Sequence, residues 1–402
     1  MKDLRRKIEQ EIGQRGPIRF SRYMEICLYD PEFGYYARNA EQFGKAGDFY
    51  TSSDLHAVFG RLMARQFEEM WRILGRPERL TLAELGPGRG FFARDVLDWA
   101  EKKFPDFFRA VSYVLVERSP ALREKIAQTL NQRIESGKAE LALIEEGASG
   151  TDAWSSIGSI GATEVAPFQT WALSTCHSPI IVFANEFFDA FPVEIVSTQG
   201  SLRIATKDGR FVESWVPSCP EELEFLDRYA VHPENRERIE IGLAARRYGE
   251  DLFWRIERGF FVSVDYGYTR EEQLAGRHRG TLKAIRQHSM SANPYEAPGE
   301  QDITADVNFT ALAAAAERHG WHTEKLVTQS QFLMGIGEAN QFADAFEDCR
   351  FPQERTKVAL QLKHLVTPAG MGESFHALVA SRGVQPDLAA SLAGLGFGRT
   401  AK

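Results

Sequence analysis

The 402-residue chain contains few cysteines and no long apolar run. Its four cysteines are far apart and form no C-x-x-C pair, which argues against a disulfide framework and a zinc knuckle and favours a reducing compartment. No apolar segment approaches the roughly 20 residues of a membrane-spanning helix, so we expect no membrane insertion. The N-terminal segment MKDLRRKIEQEIGQRG lacks an apolar core and carries acids. It therefore predicts neither a secretory signal nor a transit peptide, and we expect a cytoplasmic protein.

Positive charge is also in deficit, because 48 lysines and arginines stand against 56 aspartates and glutamates and leave a net charge of −8. A chain with this charge is poorly suited to hold nucleic acid through its overall field, and we expect no nucleic-acid partner. Hydrophobic residues make up 43% and charged residues 26% of the chain, as in a globular protein. The length suits one enlarged domain with insertions, or two domains.

The first 78 residues predict a helical region. Apolar residues recur at helical spacing from Leu4 to Ile12, from Phe20 to Leu28 and from Leu55 to Leu74. An irregular stretch rich in glycine and aromatic residues separates the second helix from the third. We therefore treat residues 1–78 as an N-terminal helical region that includes a loop.

Strands and helices alternate from Leu80 onward, which is typical of an α/β protein with a mainly parallel sheet. We assign residues 79–402 to this domain, with insertions near 194–258 and 268–305 and a hairpin around Asp208-Gly209. The predicted strands are 80–85, 112–117, 139–144, 179–184, 259–265, 323–329 and 375–381. The predicted helices are 90–103, 120–133, 234–257 and 306–319.

The segment TLAELGPGRGFFARDVL (81–97) places three glycines between an apolar strand and a helix. Gly86, Gly88 and Gly90 permit a sharp turn and let a ligand approach the backbone and the N–H groups of the helix N-terminus. The G-x-G-x-G spacing, with Glu84 two residues ahead, fits a methyltransferase loop better than the dinucleotide pattern G-x-G-x-x-G. We expect Glu84 to hold the ammonium group of S-adenosylmethionine. The alternative is a tight turn without a ligand.

Glu117 ends the second predicted strand, Val114 to Val116. A carboxylate at this position can accept hydrogen bonds from both ribose hydroxyls of an adenosine. The alternative for Glu117 is a solvated surface acid.

The segment SPIIVFANEFFDAFPVE (178–194) ends the fourth strand with Asn185 and Glu186, followed by Asp189. Ligands of open parallel sheets lie beyond the carboxyl ends of the strands, so we expect these three side chains to face the same crevice as the glycine loop. Two carboxylates and an amide suit a nitrogen nucleophile. The alternative is a helix N-terminus whose dipole attracts the two acids.

Two further segments follow strands of the predicted sheet. Asp265-Tyr266-Gly267 ends the fifth strand at the ligand edge. His288 is a candidate proton acceptor or a structural histidine, and Thr304 is a candidate helix cap.

The order of the strings PIRFSRYMEICLYDPEFGYY, GKAGDFYTSSDLHAVFG, ELGPGRG, ANEFFDAFPV and VDYG resembles the MidA family of class I methyltransferases, from about residue 17 to residue 337. The resemblance implies a Rossmann-like sheet of seven mostly parallel strands, an N-terminal helical cap and inserted hairpin and loop modules. It also implies S-adenosyl-L-methionine as cofactor and a protein-arginine methyltransferase activity. Mitochondrial members of the family are implicated in respiratory complex I assembly by symmetric dimethylation of an arginine in one subunit. The implied partner is therefore a protein substrate, such as a complex I subunit.

The resemblance also places Asp48 and Thr51 in a segment, residues 44–53, that covers the cofactor. Otherwise this segment is a polar loop before a helix. Three other functions stay open at this point: a methyltransferase for a small molecule or another side chain, a cofactor-binding assembly chaperone, and a nicotinamide dehydrogenase. The oligomeric state also stays open, with a homodimer among the alternatives.

Overall fold

The computed structural model describes residues 2–38, 57–142, 178–286, 289–291, 293–338 and 340–398. The strands within these ranges are β1 (Ile18–Arg19), β2 (Leu80–Leu85), β3 (Val111–Val116), β4 (Ala139–Leu141), β5 (Ile180–Asn185), β6 (Glu194–Ser197), β7 (Gly200–Lys207), β8 (Arg210–Val216), β9 (Ile239–Ile241), β10 (Gly259–Tyr268), β11 (Lys283–Arg286), β12 (Ser289–Ser291), β13 (Asp302–Thr304), β14 (Val307–Asn308), β15 (His322–Thr323), β16 (Val327–Thr328) and β17 (Phe375–Arg382).

The α-helices of the same ranges are α1 (Lys2–Arg15), α2 (Phe20–Tyr29), α3 (Tyr35–Arg38), α4 (Ala57–Ile73), α5 (Phe91–Lys103), α6 (Pro105–Ala110), α7 (Pro120–Thr129), α8 (Asn131–Glu135), α9 (Pro220–Tyr229), α10 (Leu243–Arg255), α11 (Arg270–Leu274), α12 (Phe309–Arg318), α13 (Gln329–Glu338), α14 (Ala343–Phe346), α15 (Pro352–Val366) and α16 (Pro386–Ala390). Two short 3₁₀ turns, Phe188–Ala190 and Ala393–Leu395, accompany them.

The main sheet has the strand order β4-β3-β2-β5-β10-β17-β15. In addition, β14 pairs with the end of β10, and β16 pairs with β17. Neighbouring strands from β4 to β10 run parallel, whereas β17 runs antiparallel between β10 and β15. The central strands are apolar along most of their length because helices cover both faces of the sheet. The predicted mostly parallel α/β sheet is confirmed, with seven strands along its main path.

Aromatic side chains fill the space between the sheet and its helices. On one face, Phe92 of α5 stacks on Phe183 of β5 with ring centroids 4.6 Å apart, and Phe59 of α4 packs beside them. On the other face, Phe253 of α10 meets Phe261 of β10 edge-on at 4.9 Å. These contacts hold the strand ends in fixed positions, which is what a ligand site at the sheet edge requires.

A second sheet, β1-β7-β6-β9 with β8 paired to β7, lies under the N-terminal helices. Leu4 and Ile8 of α1 and Phe20 of α2 share a core with Leu202 and Ile204 of β7. The predicted hairpin is confirmed, because β7 and β8 are joined by Asp208-Gly209 with φ of +50° and +68°. By contrast, α4 packs in the main core. The division of the chain at residue 78 remains a prediction.

Several predicted elements have different bounds. The predicted helix 234–257 was wrong in its first half, because Ile239–Ile241 pairs with β6 and the helix starts only at Leu243. The predicted strand 139–144 ends at Leu141, and residues 143–177 lie outside the described ranges. The predicted strand 323–329 is interrupted, since β15 and β16 pair separately with β17. The predicted helix 120–133 is divided at Leu130.

The insertion at 268–305 is not a plain loop. It contains α11 and a small sheet of order β12-β11-β13. The helix predicted at 306–319 begins at Phe309, and its cap is Asn308, whose Oδ1 accepts a hydrogen bond of 2.9 Å from the Ala311 N–H. Thr304 lies instead in β13 and does not cap the helix.

Candidate functional site

Four adjacent parallel strands end at one edge of the main sheet. Leu85, the last residue of β2, pairs with Val116 on one side and Ala184 on the other, and Asn185 pairs with Val264. The segments that follow these strands therefore meet at that edge. They are the glycine loop, the Glu117 segment and the Asn185–Asp189 turn, as the sequence predicts. Asp265, Tyr266 and Gly267 lie beside them but within β10, because this strand continues to Tyr268, past its predicted end at residue 265.

All three glycines of the loop adopt left-handed backbone conformations, with φ of +65° at Gly86, +55° at Gly88 and +78° at Gly90. A Cβ at Gly86 would lie 2.8 Å from a ring carbon of Phe187, so the loop touches the turn that follows β5. A Cβ at Gly88 would meet no described residue within 4 Å. Among the described residues, the space above Gly88 is therefore open, as a backbone cradle for a ligand requires. Gly90 precedes the first residue of α5, so the loop also leads into a helix N-terminus.

Glu84 lies in β2 just before the loop, with only 4% of its surface exposed. Its Oε2 accepts a hydrogen bond of 2.8 Å from the Tyr113 hydroxyl of β3. Burial raises the pKa of Glu84 to about 8. A buried carboxyl of this kind is costly to ionise unless a cation compensates the charge, and the ammonium group of an amino-acid ligand fits that requirement.

Glu117 follows the last residue of β3 and is partly exposed. The Ser119 N–H donates a hydrogen bond of 2.8 Å to Glu117 Oε1, and Arg123 Nη1 donates to the Glu117 carbonyl at 3.0 Å. Burial raises the pKa of Glu117 to about 7. The alternative of a freely solvated surface acid does not fit this environment. Ser119 also caps α7 ahead of Pro120.

The turn after β5 carries Asn185, Glu186 and Asp189. Asn185 Nδ2 donates to Glu186 Oε1 at 3.2 Å, and Glu186 adopts an unusual φ of +50°. Such conformations occur mainly where surrounding structure and function impose them. Asp189 lies in the three-residue 3₁₀ turn Phe188–Ala190, which is too short to give the helix dipole of the alternative interpretation.

Asp189 is almost completely buried, with 6% of its surface exposed. The Tyr266 hydroxyl donates a hydrogen bond to Asp189 Oδ2, whereas Oδ1 has no hydrogen-bond partner among the described residues. Burial raises the pKa of Asp189 to about 6. The two carboxylate oxygens of Asp189 therefore have different surroundings among the described residues.

Asp265 has a role that the sequence does not reveal. Its Oδ2 accepts hydrogen bonds of 3.1 Å from the N–H groups of both Phe187 and Phe188. Burial, together with the charges of Asp189 and Glu186, raises the pKa of Asp265 well above its ordinary value. Asp265 therefore anchors the backbone of the turn. Its predicted position at a strand end indicated proximity to the site but not this structural role.

Other predicted residues are not placed. Asp48, Thr51 and His288 lie outside the described residues. Within the described ranges, no group of three or more histidines, cysteines, aspartates and glutamates is arranged to hold a metal ion. In the same part of the chain, no helix has the length and apolar character needed to cross a membrane.

A sheet of this order, with a glycine loop after its central strand and a carboxylate at the tip of the next, defines a protein that binds an adenosine-containing cofactor. The model of the family described as "Putative S-adenosyl-L-methionine-dependent methyltransferase" matches residues 62–327, and the chain belongs to this family. The protein is accordingly a methyltransferase with S-adenosylmethionine as its cofactor.

Similar proteins extend the match over most of the chain. The mitochondrial protein arginine methyltransferase NDUFAF7 homolog of Drosophila melanogaster is 33% identical over 95% of this chain and 85% of its own length. The mitochondrial protein arginine methyltransferase NDUFAF7 of Homo sapiens is 27% identical over 92% of this chain and 81% of its own. A protein from Burkholderia thailandensis, whose crystal structure contains bound S-adenosyl-homocysteine, is 25% identical in sequence to this chain. The two structures align with a TM-score of 0.78 over 100% of this chain and 96% of that chain.

Proposed function

We propose that this methyltransferase transfers a methyl group to a guanidino nitrogen of an arginine in a partner protein. The observation that carries the proposal is the buried Asp189, whose Oδ1 lacks a partner among the described residues. It lies in the turn after β5, the strand beside the glycine-loop strand. The names of the relatives, which are protein arginine methyltransferases, support the same acceptor.

On the cofactor side, we assign the loop Gly86, Gly88 and Gly90 to the backbone cradle. Glu84 would bind the ammonium group, and Glu117 would bind the ribose hydroxyls. Asp48 and Thr51, which precede α4 in the sequence, complete the proposed cofactor set by family resemblance. The open space above Gly88 and the buried position of Glu84 support these assignments.

The cofactor supplies an electrophilic methyl group on a sulfonium. Transfer forms a bond between the guanidino nitrogen and the methyl carbon and breaks the bond between that carbon and sulfur, and the nitrogen then loses a proton to solvent. Because the guanidinium pKa exceeds about 12, deprotonation before transfer is not a practical first step. The enzyme must therefore align a nitrogen that still belongs to a charged group, and alignment alone provides much of the acceleration.

We assign this alignment to Glu186 and Asp189. Carboxylates form short, strong hydrogen bonds with guanidinium N–H groups and hold the plane of the group. Asn185 would fix the Glu186 side chain through its hydrogen bond to Oε1. Asp265 would keep the turn in place through the Phe187 and Phe188 N–H groups. This division separates residues that orient the acceptor from residues that hold the cofactor.

For the biological target, we infer a protein subunit of respiratory complex I, methylated in the cytoplasm. The basis for the target is the family resemblance together with the similarity to the NDUFAF7 proteins over most of the chain. The relatives named are mitochondrial, and the cytoplasm is proposed only because the widely spaced cysteines favour a reducing compartment.

The test is incubation of the protein with methyl-labelled S-adenosylmethionine and native cell extract, followed by mapping of labelled sites. We expect methylarginine in a protein, and no label with a Gly88→Val variant. Label on another side chain or on a small molecule would contradict the proposed acceptor. Cofactor binding without any transfer would instead favour an assembly chaperone.

A further inference from the structure

Two tyrosines of the N-terminal region lie beside the turn that carries Asp189. Tyr29, at the end of α2, stacks on Tyr36 of α3 with ring centroids 5.3 Å apart and an interplanar angle of 29°. The Tyr29 hydroxyl donates a hydrogen bond of 2.8 Å to the Ala190 carbonyl, in the residue next to Asp189. This bond ties the aromatic pair to the proposed acceptor site.

A third element, β13, packs beside the same turn. Strand β13 packs against both α2 and the Phe188–Ala190 turn, and the Ala305 N–H donates to the Asp189 carbonyl at 3.2 Å. β13 begins with Asp302, which is 6% exposed. Burial and the negative charges of Asp189 and Asp302 raise the pKa of Tyr29 and of Tyr36 well above the ordinary value. The two carboxylates therefore act on the same pair of rings.

The charge of Asp189 is not neutralised by a direct ion pair in the described residues. The Lys283 ammonium, whose charge lowers the pKa of Asp189, is bonded to Asp306 Oδ1 at 2.7 Å and lies 4.8 Å from the centre of the Tyr266 ring. Elsewhere the chain pairs a comparably buried carboxylate, Asp344, directly with Arg65. A buried carboxylate oxygen without such a partner points to a cationic ligand.

We propose that Tyr29, Tyr36, Asp189 and Asp302 form the pocket that receives the planar cation of the acceptor side chain. The inference rests on the proposed function, and it assigns substrate contacts to two segments, α2–α3 and β13, that lie far from Asp189 in the sequence. Aromatic faces attract cations, and guanidinium stacks on them more favourably than ammonium does. The two carboxylates would favour a positively charged side chain over a neutral one, and the two rings would favour a planar group.

The proposal is tested by titrating N-acetyl-arginine methylamide into the full-length protein saturated with S-adenosylhomocysteine, using ligand-detected NMR. The neutral and nearly isosteric N-acetyl-citrulline methylamide is the matched ligand. We expect saturable binding of the arginine probe and at least about tenfold weaker binding of the citrulline probe, because a charge-assisted contact is lost. Asp302→Asn should weaken arginine binding about tenfold, and Tyr36→Leu about fivefold.

Asp344→Asn is the matched variant, since it removes a buried carboxylate that is bonded to Arg65 and has no part in the pocket. It should leave the affinity for the arginine probe unchanged, and thermal unfolding should show that all variants are folded. S-adenosylhomocysteine affinity should be equal in every variant. Equal affinity of the protein for the two probes, or an unchanged affinity of the Asp302→Asn variant for the arginine probe, would contradict the proposed pocket.

Failure of the pocket can be distinguished from failure of the proposed function. If label maps to protein arginine and Asp302→Asn transfers methyl groups at the wild-type rate, the pocket is wrong and the proposed function stands. If label maps to another residue type while the probe titrations follow the expected order, the pocket binds cations and the proposed acceptor is wrong.

Discussion

The Tyr113 hydroxyl lies 2.8 Å from Oε2 of Glu84 and donates a hydrogen bond to it across the two strands at the centre of the sheet. The bond gives a buried carboxyl one polar partner, but it does not provide a compensating positive charge. Burial accordingly keeps the pKa of Glu84 at about 8. Below about pH 8, Glu84 therefore favours its neutral form in the protein without cofactor. It would favour its ionised form when an ammonium group is bound.

Cofactor affinity should therefore depend on pH. Since a bound ammonium group requires ionised Glu84, the affinity for S-adenosylhomocysteine should fall as the pH drops below about 8. Glu84→Gln should weaken binding about tenfold or more near pH 8 and remove this part of the pH dependence. Calorimetry from pH 6 to 9 measures both effects. A pH profile that is the same in wild type and variant would exclude Glu84 as the ammonium partner.

The same substitution should stabilise the empty protein at alkaline pH. The folded-state pKa of Glu84 lies above its ordinary value of 4.5, so the folded state binds the proton more tightly and its stability falls between about pH 4.5 and 8. Glutamine carries no such penalty and can still accept the Tyr113 hydroxyl. At pH 9 we expect the variant to exceed wild type in free energy of unfolding by more than about 1.4 kcal/mol, the value of one pKa unit. At pH 4.5 the difference should be small. Denaturant unfolding at both pH values provides the comparison.

Gly88→Val should abolish cofactor binding while the protein remains folded. The new side chain would occupy the open space above the loop, and valine is strained at a φ of +55°. Gly209→Val is the matched control, because Gly209 also has positive φ (+68°) and open surroundings but lies in the β7–β8 hairpin. Both variants should lose similar stability in thermal unfolding, and only Gly88→Val should lose binding in calorimetry. Unchanged cofactor affinity in a folded Gly88→Val protein would show that the cofactor binds at another place in the protein.

Glu117→Ala should weaken cofactor binding without affecting the acceptor turn. The loss of hydrogen bonds to a charged acceptor typically costs about 1.5–3 kcal/mol, which corresponds to roughly ten- to a hundredfold in affinity. Glu140→Ala, on the exposed side of β4, is the control and should bind normally. An unchanged dissociation constant for Glu117→Ala would mean that another residue holds the ribose.

Glu186→Gln and Asp189→Asn should reduce methyl transfer far more than cofactor affinity. Both carboxylates are assigned to the acceptor, and a misplacement of about 1 Å can cost on the order of a hundredfold in rate. Turnover with the mapped acceptor is compared with S-adenosylhomocysteine affinity in each variant. Glu271→Gln, an exposed acid in the first turn of α11, is the control for a helix-terminal charge and should retain normal turnover. Loss of cofactor affinity in both site variants would show that the turn belongs to the cofactor pocket.

Local patterns in the sequence were sufficient for the main sheet and for the strand ends that carry the proposed cofactor residues. Continuous apolar runs such as residues 180–184 predict buried parallel strands, and each of the residues Glu84, Gly86 and Glu117 stands at or next to a predicted strand end. Because parallel strands bring their carboxyl ends to one edge, chain position alone was enough to place these residues together.

The contacts around Asp189 were decided by the tertiary structure. Tyr29, Asp302 and Tyr266 come from three segments far apart in the chain, and no local periodicity links them to residue 189. The same reason explains β9, whose three residues form a strand through pairing with β6 although the surrounding sequence suits a helix. The sequence by itself thus determined the parallel sheet and its ligand edge, because apolar periodicity and glycine placement act locally. Only the packing of α2, β13 and β10 around the turn decided which oxygen of Asp189 accepts the Tyr266 hydroxyl and which has no partner among the described residues, because that choice depends on long-range contacts.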